Sequence, residues 1–251
     1  MIGCIIQSRM SSRRLPGKIM KVVDGKPILY HVINQISSSK ILKKIVIATS
    51  TNTDDDIIEN HAKKLGISCF RGELNDVLDR HYQCAKKFSF DVIVRIPSDK
   101  PLIDPNVIDE VITEFTSNQC DYASNFVYPL QYNIGTEVEV FSFKALEKVW
   151  NSAKKPSERE HIFPFFHNHK NIFQINFLSN LNDVKHLRYS LDRKEDLKII
   201  QEIFSRTKKR PILKNDILEL FSKNPKFFDI NKHFDPNEGQ IQSLKYDIKS
   251  S

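Results

Sequence analysis

A basic loop near the amino terminus holds the first residues that suggest chemistry. Residues 2–6 have the length and composition of a buried strand, and the loop after them carries Arg9 and ends at Lys18. Open α/β sheets bind ligands in loops at the carboxyl ends of strands, where cations and backbone N–H groups meet a polyphosphate. The loop has neither the Walker spacing nor a G-x-G-x-x-G motif. Phosphate binding and a solvated basic loop are therefore both open interpretations of these residues.

Two aspartates form a second candidate pair. Asp99 follows the strand-like run 92–96, and Asp192 follows the apolar run 187–191. If both runs reach the same edge of a folded sheet, the two carboxylates converge there although they are far apart in sequence. Taken alone, an aspartate before Lys-Pro is more typical of a helix cap or a turn.

Alternating strand-like and helix-like segments must position these residues. Strands are predicted at 2–6, 45–49 and 92–96, and a later one at 172–178. The helical segments between the first three strands indicate βαβ units around a largely parallel sheet.

Two helices between the strands have readable starts. One is predicted to open at Thr53, with a capping box, and to stop at Gly66. The other is predicted to begin after Asp104, which precedes Pro105 and has the character of an N-cap. A further helix is predicted at 194–204, after the Asp192 turn.

The chain is predicted to form one main domain, residues 1–206, followed by an extension at 207–251. A basic run that ends in proline, 208–211, separates the two, and a short helix is predicted at 215–223. The last stretch, 235–251, is predicted to be partly disordered or to pack on another subunit.

The composition is that of a globular protein with a basic balance. Hydrophobic residues make up 40% and charged residues 27% of the 251 residues, with a net charge of +7 and a pI near 9.1. This balance excludes a wholly disordered chain and suits an anionic ligand or nucleic acid. Because the basic residues are spread along the chain, nucleic acid is not an expected partner. No apolar run has bilayer length and no secretory signal is evident, so a cytoplasmic protein without a membrane partner is expected.

Blocks of sequence in a fixed order resemble a known family. The block from Ile5 to Lys18 looks like the signature of cytidylyltransferases related to spore coat polysaccharide biosynthesis protein F, and more distantly of CMP-KDO and CMP-sialic acid synthetases. Each block alone is weak, but their shared order to about residue 197 argues against chance. The further blocks are Gly25-Lys26-Pro27-Ile28, Ala48-Thr49-Ser50, Phe70-Arg71-Gly72, Asp76-Val77-Leu78-Asp79-Arg80, Asp99-Lys100-Pro101-Leu102-Ile103-Asp104-Pro105, Tyr122-Ala123-Ser124-Asn125, Val138-Glu139-Val140-Phe141, Arg159-Glu160-His161 and Tyr189-Ser190-Leu191-Asp192.

The resemblance implies a three-layer α/β fold with a mostly parallel, twisted sheet of the Rossmann-like nucleotide-diphospho-sugar transferase type. It also implies an enzyme that transfers CMP from CTP to an acceptor and releases pyrophosphate, with Arg9, Lys18 and Asp99 as catalytic residues. The residues that it places at the nucleotide are Ser8, Arg9, Arg14, Leu15, Lys18, Arg71, Arg80 and Ser98. Arg80 has a second interpretation, an ion pair with Asp76 one helical turn earlier.

Magnesium is the cofactor that the resemblance implies. Relatives place their metal on aspartates that match Asp99 and Asp192. Mg²⁺ needs few protein carboxylates, because water and phosphate fill its remaining positions. Asp104 and Asp196 are instead expected to be helix-end residues. No general base is predicted, since alignment and metal-assisted deprotonation can activate the acceptor oxygen.

The expected acceptor is a small acidic molecule, a nonulosonic or similar sugar for cell-surface glycan assembly. The residues that the resemblance places at this acceptor are Asn125, Glu137, Glu139, Arg159, His161 and Arg188. A hydrogen-bonded structural role is an almost equally good interpretation of His161. Relatives are commonly dimers, so a homodimer is expected.

Two departures from the family pattern bear on the acceptor. Residues 97–101 read Pro-Ser-Asp-Lys-Pro where relatives usually have Thr-Gly-Asp-x-Pro, so the backbone there is stiffer and more crowded. Residues 192–196 read Asp-Arg-Lys-Glu-Asp where relatives often have Asp-Thr-Pro-Glu-Asp. The alternatives are an enzyme with another nucleoside triphosphate or a phosphonate or polyol phosphate acceptor and, from another class, a basic nucleic-acid-binding protein.

Overall fold

A seven-stranded sheet with helices on both faces forms the centre of the protein, in a computed structural model that describes residues 1–126, 132–179 and 187–235. The strands in this part of the chain are β1 (Ile2–Gln7), β2 (Val22–Val23), β3 (Lys26–Pro27), β4 (Lys44–Ser50), β5 (Ser68–Gly72), β6 (Val92–Pro97), β7 (Tyr122–Ser124), β8 (Glu139–Ser142) and β9 (Ile175–Phe177). The large sheet has the order β5-β4-β1-β6-β8-β7-β9, and β2 and β3 pair separately.

The helices alternate with these strands along the chain. Within the described residues they are α1 (Ile28–Ile36), α2 (Asp56–Lys64), α3 (Val77–Lys87), α4 (Pro105–Ser117), α5 (Phe143–Ser152), α6 (Pro156–Glu160), α7 (Ile162–Asn168), α8 (Lys194–Arg206) and α9 (Lys214–Lys223). Short 3₁₀ segments lie at Lys18–Met20, Thr53–Asp55 and Pro225–Ile230. No helix among the described residues combines the length and the apolar character that a membrane crossing requires.

The pairing of the strands confirms the mostly parallel sheet. β1 runs parallel to both β4 and β6, and β4 runs parallel to β5. Among the seven described strands of the large sheet, only β8 is antiparallel to both of its neighbours. The first three predicted strands coincide with β1, β4 and β6, and β9 is shorter than its prediction. In the register of β1, Gln7 stands opposite Ala48 on one side and Pro97 on the other. The carboxyl ends of three parallel strands therefore share one edge.

Side-chain alternation along the strands produces the two helix-covered faces. Ile6 on β1 packs into a core cluster with residues of α1, α4 and α8, whereas its neighbour Ile5 packs into a second cluster with residues of α3, α5 and α7. Both side chains are fully buried. Because successive residues of a strand face opposite sides, one apolar strand supplies both cores. The predicted three-layer arrangement is confirmed.

One of the two predicted helix starts is correct. Asp104 caps α4 as predicted, since its carboxylate accepts a backbone N–H of the first turn. The capping box at Thr53 is wrong, because this residue lies in a 3₁₀ turn and no side chain caps the start of α2. The carboxylate of Asp55 instead accepts hydrogen bonds from the hydroxyls of Thr49 and Ser50 at the end of β4. The carboxylate of Asp55 thus binds the end of a strand and does not cap a helix.

The carboxyl-terminal extension packs against the main core. Ile212, Ile217 and Phe228 are buried in the cluster that includes α1 and α4. Gln35 of α1 donates its amide to the carbonyl of Ile212 at 2.6 Å and accepts the N–H of the same residue at 2.9 Å. This paired contact joins the extension to the first helix of the fold.

The predicted helix at 215–223 is confirmed as α9. The predicted domain boundary after residue 206 stays a prediction. Of the tail predicted at 235–251, residues 236–251 lie outside the described part of the chain.

We expect Gly135→Ala to lower the free energy of unfolding by about 2–3 kcal/mol, because it combines backbone strain with a steric clash. Gly135 has a φ of +113°, and an added Cβ would lie 2.8 Å from the backbone nitrogen of Ser190. Gly25 is the matched control, since its φ is +72° but nothing lies within 4 Å of an added Cβ. Urea titration followed by circular dichroism measures both variants, and equal losses would contradict the steric explanation.

Candidate active site

A crevice of about 570 Å³ opens at the edge where β1 and β6 end. The basic loop after β1 forms one wall, the residues that follow β6 lie at its base, and α6 contributes the other wall. The charged residues that line it are Arg9, Arg13, Arg14, Lys18 and Arg95, with Asp99 and Glu160 as the carboxylates. Because cations outnumber carboxylates along this lining, the crevice attracts an anion.

The loop between β1 and Lys18 is held in place by buried contacts. Asp55 accepts the backbone N–H of Met10 at 2.7 Å in addition to the hydroxyls of β4. Burial opposes the charge of Asp55, but hydrogen bonds, led by that from Ser50, lower its pKa. The side chain of Leu15 is buried in the core and anchors the later part of the loop. The sequence analysis missed Asp55, because its spacing after β4 resembles an ordinary helix start.

Lys18 joins the two candidate metal ligands. Its ammonium lies 2.7 Å from Oδ2 of Asp99 and 2.9 Å from Oδ1 of Asp192. The backbone N–H of Leu191 donates to the carbonyl of Asp99 at 2.7 Å, which brings the two chain segments together. Burial opposes the charge of Lys18, but the two aspartates outweigh it and raise its pKa. The expected convergence of Asp99 and Asp192 is present in the fold.

Asp192 is surrounded by positive charge. Arg14 lies 2.6 Å from its Oδ1, and Arg188 lies 2.7 Å from its Oδ2. Burial alone would raise the pKa of Asp192, but Lys18 and then Arg14 lower it to about 2. The carboxylate is therefore ionised at neutral pH.

Ser8 lies at the crevice directly after β1. Its hydroxyl oxygen is buried and has no hydrogen-bond partner among the described residues. An unsatisfied buried hydroxyl costs about 1–3 kcal/mol, which a ligand atom would relieve. Ser98 also lines the crevice, and its N–H donates to the carbonyl of Gln7 at 2.9 Å. The predicted nucleotide contacts of both serines stay predictions, which this placement supports.

Arg95 is a crevice residue that the sequence analysis missed. It lies on β6, where Gln7 accepts its Nη2 at 2.7 Å and its Nε at 3.1 Å. Glu139 of β8 accepts its Nη1, and also accepts the hydroxyl of Tyr122 at 3.0 Å. The sequence did contain a signal for this residue, because an arginine inside the apolar run of a predicted strand indicates a polar partner or a ligand nearby.

His161 and Glu160 close the crevice at the end of α6. Glu160 accepts a hydrogen bond from Arg9 at 2.9 Å. Burial lowers the pKa of His161 despite the nearby carboxylate of Glu160, so the imidazole is neutral at pH 7. Of the six residues predicted for the acceptor, His161 alone lines the crevice among the described residues.

Asp99 and Asp192 fit a magnesium ion. No cluster of three or more His, Cys, Asp or Glu side chains that could hold a metal occurs in the described ranges. Mg²⁺ needs only one or two protein carboxylates when phosphate and water supply its other ligands. The side chains of Asp99 and Asp192 are 23% and 12% exposed, and one oxygen of each lies within 2.9 Å of the ammonium of Lys18. Their role as metal ligands stays a prediction.

Comparison with known proteins identifies the family. A model of the cytidylyltransferase family matches residues 3–234. The chain belongs to the cytidylyltransferase family. The spore coat polysaccharide biosynthesis protein SpsF of Bacillus subtilis is 30% identical over 229 residues, which cover 88% of this chain and 94% of that protein. The 3-deoxy-manno-octulosonate cytidylyltransferase of Pelobacter propionicus is 34% identical over 113 residues, 44% of this chain and 43% of that enzyme.

A solved structure agrees with this family membership. A cytidylyltransferase from Leptospira borgpetersenii superposes with a TM-score of 0.88 at 31% identity, over 93% of this chain and 99% of that one. The predicted nucleotidyltransferase class and the predicted fold type are both confirmed.

Two arginines predicted at the nucleotide do not line the crevice of this cytidylyltransferase. Arg71 lies near the outer end of the sheet, where its Nη1 meets Asp56 at 2.5 Å and Glu59 at 2.9 Å. Arg80 is fully buried, and burial, followed by repulsion from Arg9, lowers its pKa to about 10. Their predicted nucleotide contacts stay predictions without support from the crevice lining.

The alternative ion pair of Arg80 with Asp76 is wrong. Asp76 instead accepts two hydrogen bonds from Arg159, at 2.9 Å from Nε and 2.5 Å from Nη2. Arg80 donates to the carbonyl of Glu73 at 2.9 Å. Arg159, predicted at the acceptor, therefore joins α6 to the start of α3.

The other predicted acceptor residues hold loops around the crevice. Asn125 accepts the N–H of Val138 at 2.7 Å, and Glu137 forms an ion pair with Lys100 at 2.9 Å. Glu139 holds Arg95, and Arg188 holds Asp192, so these two act on residues at the site. Direct contact of these four residues with an acceptor stays a prediction.

We expect Lys18→Met to lower the free energy of unfolding at pH 7 by about 1–2 kcal/mol, because two carboxylates lose their shared cation. The folded pKa of Asp192, about 2, lies below its ordinary value of 3.8. The stabilisation is therefore fully present above pH 3.8 and is lost as the pH falls through about 2. The difference between the two proteins should shrink in urea titrations as the pH falls from 4 towards 2. Exposed Lys63→Met is the control, and a deficit that does not change with pH would contradict the assignment.

Proposed function

We propose that this cytidylyltransferase transfers CMP from CTP to a small acidic sugar, with Mg²⁺ bound and pyrophosphate released, for cell-surface glycan assembly. One observation carries the proposal: Lys18 bridges Asp99 and Asp192 beside a crevice lined with arginines. A triphosphate needs cations at its oxygens, and a metal needs carboxylates within reach of the same point. Asp99 lines this crevice, and Asp192 is bound by Lys18 and Arg14, which line it.

The basic loop is suited to holding the triphosphate. Arg9 and Arg14 reach the crevice from a loop whose backbone is anchored by Asp55 and Leu15. Transfer at the α-phosphorus moves negative charge onto the leaving pyrophosphate, and fixed cations stabilise that charge. Lys18 pairs with two carboxylates in the free protein, and a bound triphosphate offers its ammonium an alternative partner.

Asp99 and Asp192 are the residues that would hold magnesium. When bound, the ion would supply positive charge to the phosphate oxygens and lower the pKa of a coordinated hydroxyl. The chain itself keeps Asp192 ionised through Lys18, Arg14 and Arg188. His161 is neutral and lines the same crevice.

The acidic acceptor is supported by charge and by similarity. The lining of the crevice is cationic beyond the loop, since Arg95 extends it towards α6. A relative of part of the chain is a 3-deoxy-manno-octulosonate cytidylyltransferase, and 3-deoxy-manno-octulosonate is a sugar acid. The name of SpsF supports a role in polysaccharide biosynthesis. The expected homodimer stays a prediction that light scattering can test.

We expect Asp99→Asn and Asp192→Asn each to lower turnover by at least about 100-fold, because each removes charge that holds the metal at the phosphates. Pyrophosphate release from CTP, Mg²⁺ and 3-deoxy-manno-octulosonate or N-acetylneuraminate measures the reaction. Asp54→Asn makes the same chemical change at an exposed position of the 3₁₀ turn before α2 and should leave turnover unaltered. Full turnover in both active-site variants would overturn the metal assignment.

We expect CTP with Mg²⁺ to raise the melting temperature by about 5–10 °C at 100 times its Kd, since a ligand bound by the native state alone adds about 2.7 kcal/mol. UTP, ATP and GTP at equal concentration are the comparison. A larger rise of the melting temperature with one of these would indicate that this nucleotide, and not CTP, is the donor. No shift with any nucleotide, together with salt-dependent retention of RNA, would favour the nucleic-acid-binding alternative.

A further inference from the structure

The carboxyl-terminal extension returns to the active-site edge at Asn231. This side chain is 1% exposed. Its amide nitrogen donates to Oδ1 of Asp196 at 2.7 Å and to the carbonyl of Arg188 at 3.0 Å. These two partners are the residues that hold Asp192 from behind. One amide of the extension therefore contacts both supports of a predicted metal ligand.

Asp196 and Arg188 fix the backbone and the side chain of Asp192. Asp196 accepts the backbone N–H of Asp192 at 2.8 Å through Oδ2, and accepts Nε of Arg188 at 3.1 Å through Oδ1. Nη2 of Arg188 then donates to Oδ2 of Asp192 at 2.7 Å. Oδ2 of Asp192 thus accepts from Arg188, whereas Oδ1 accepts from Lys18 and Arg14, which line the crevice.

The amide of Asn231 completes the hydrogen bonding of a buried carboxylate. Asp196 is fully buried, and a buried carboxylate without enough donors is strongly destabilised. Asn231 supplies a neutral donor to the same Oδ1 that Arg188 uses. Without it, Oδ1 of Asp196 keeps only Nε of Arg188 as a donor, and the carbonyl of Arg188 loses a partner. Both changes weaken the hydrogen bond from Arg188 to Asp192.

The same segment of the extension makes a second contact, with the residue that follows Asp192. The ring of Phe234 lies 4.6 Å from the guanidinium of Arg193, the residue that follows Asp192. The segment is itself anchored, because Phe228 is buried in the core and packs edge-on against Phe221. The turn that carries Asp192 is thus held by a fixed piece of the extension.

We propose that Asn231 is a positioning residue of the active site, which sets the orientation of the Asp192 carboxylate through Asp196 and Arg188. The inference rests on the proposed function, because it takes Asp192 as a metal ligand. Outer contacts of metal ligands typically change metal affinity by about 10–100-fold when removed. The extension therefore belongs to the catalytic unit, and metal affinity depends on it.

The test is Mn²⁺ binding to the full chain, measured by electron paramagnetic resonance with saturating CTP and no acceptor. Asn231→Leu keeps the volume of the side chain and removes both donors, and it should raise the Kd of Mn²⁺ about tenfold. Asn224→Ala is the matched control in the same extension, since that amide donates to the carbonyl of Leu220 at the end of α9. It should leave the Kd unaltered, and thermal melting of each variant reports its folding.

An unaltered Kd in folded Asn231→Leu, or an equal rise in Asn224→Ala, overturns the proposal. If Asn231→Leu does not fold, Asn231→Ala decides, because it removes the same donor without placing a large apolar side chain against Asp196. A rise of the Kd about tenfold in that variant supports the proposal, and no rise overturns it. Asp192→Asn separates the two levels of inference. If it binds Mn²⁺ normally, the metal assignment fails, whereas if it alone loses binding, only the positioning role of Asn231 fails.

Discussion

The ammonium of Lys18 between Asp99 and Asp192 is the interaction on which the site depends. Two carboxylates brought close together repel each other, and a low dielectric strengthens that repulsion. The shared cation offsets much of this repulsion, because it lies between the two carboxylates. Lys18 follows β1, Asp99 follows β6, and Asp192 precedes α8, so the interaction links three distant parts of the chain.

The parallel sheet makes this meeting possible. β1 and β6 are adjacent and end at the same level, so the loops that follow them leave the sheet side by side. The segment before Asp192 joins them through the hydrogen bond from Leu191 to the carbonyl of Asp99. On the other side of β1, Asp55 ties the basic loop to the end of β4. The site thus rests on strand ends and backbone contacts.

Several cations of the crevice are already paired with carboxylates before any ligand arrives. Arg9 pairs with Glu160, Arg95 with Glu139, and Lys18 with its two aspartates. Such pairing lowers the free energy needed to hold several like charges close together. An anionic ligand then competes with carboxylates of the protein for the same cations. When the ligand binds, these cations exchange a carboxylate partner for an oxygen of the ligand.

The sequence by itself determined the layers of the fold and the identity of the basic loop. Strand periodicity, the Asp104 cap and the apolar runs are local properties, so β1, β4, β6 and α4 could be predicted from them. Motifs in a fixed order were enough to indicate the family and to single out Lys18, Asp99 and Asp192. Only the tertiary structure decided which polar side chains face the crevice and which hold loops. Arg159 and Asn125 are bound to other residues of the protein, Arg95 enters the crevice from a strand, and Asn231 reaches Asp192 from the extension. The partner of a long polar side chain is set by contacts between distant segments, and no local pattern in the sequence records those contacts.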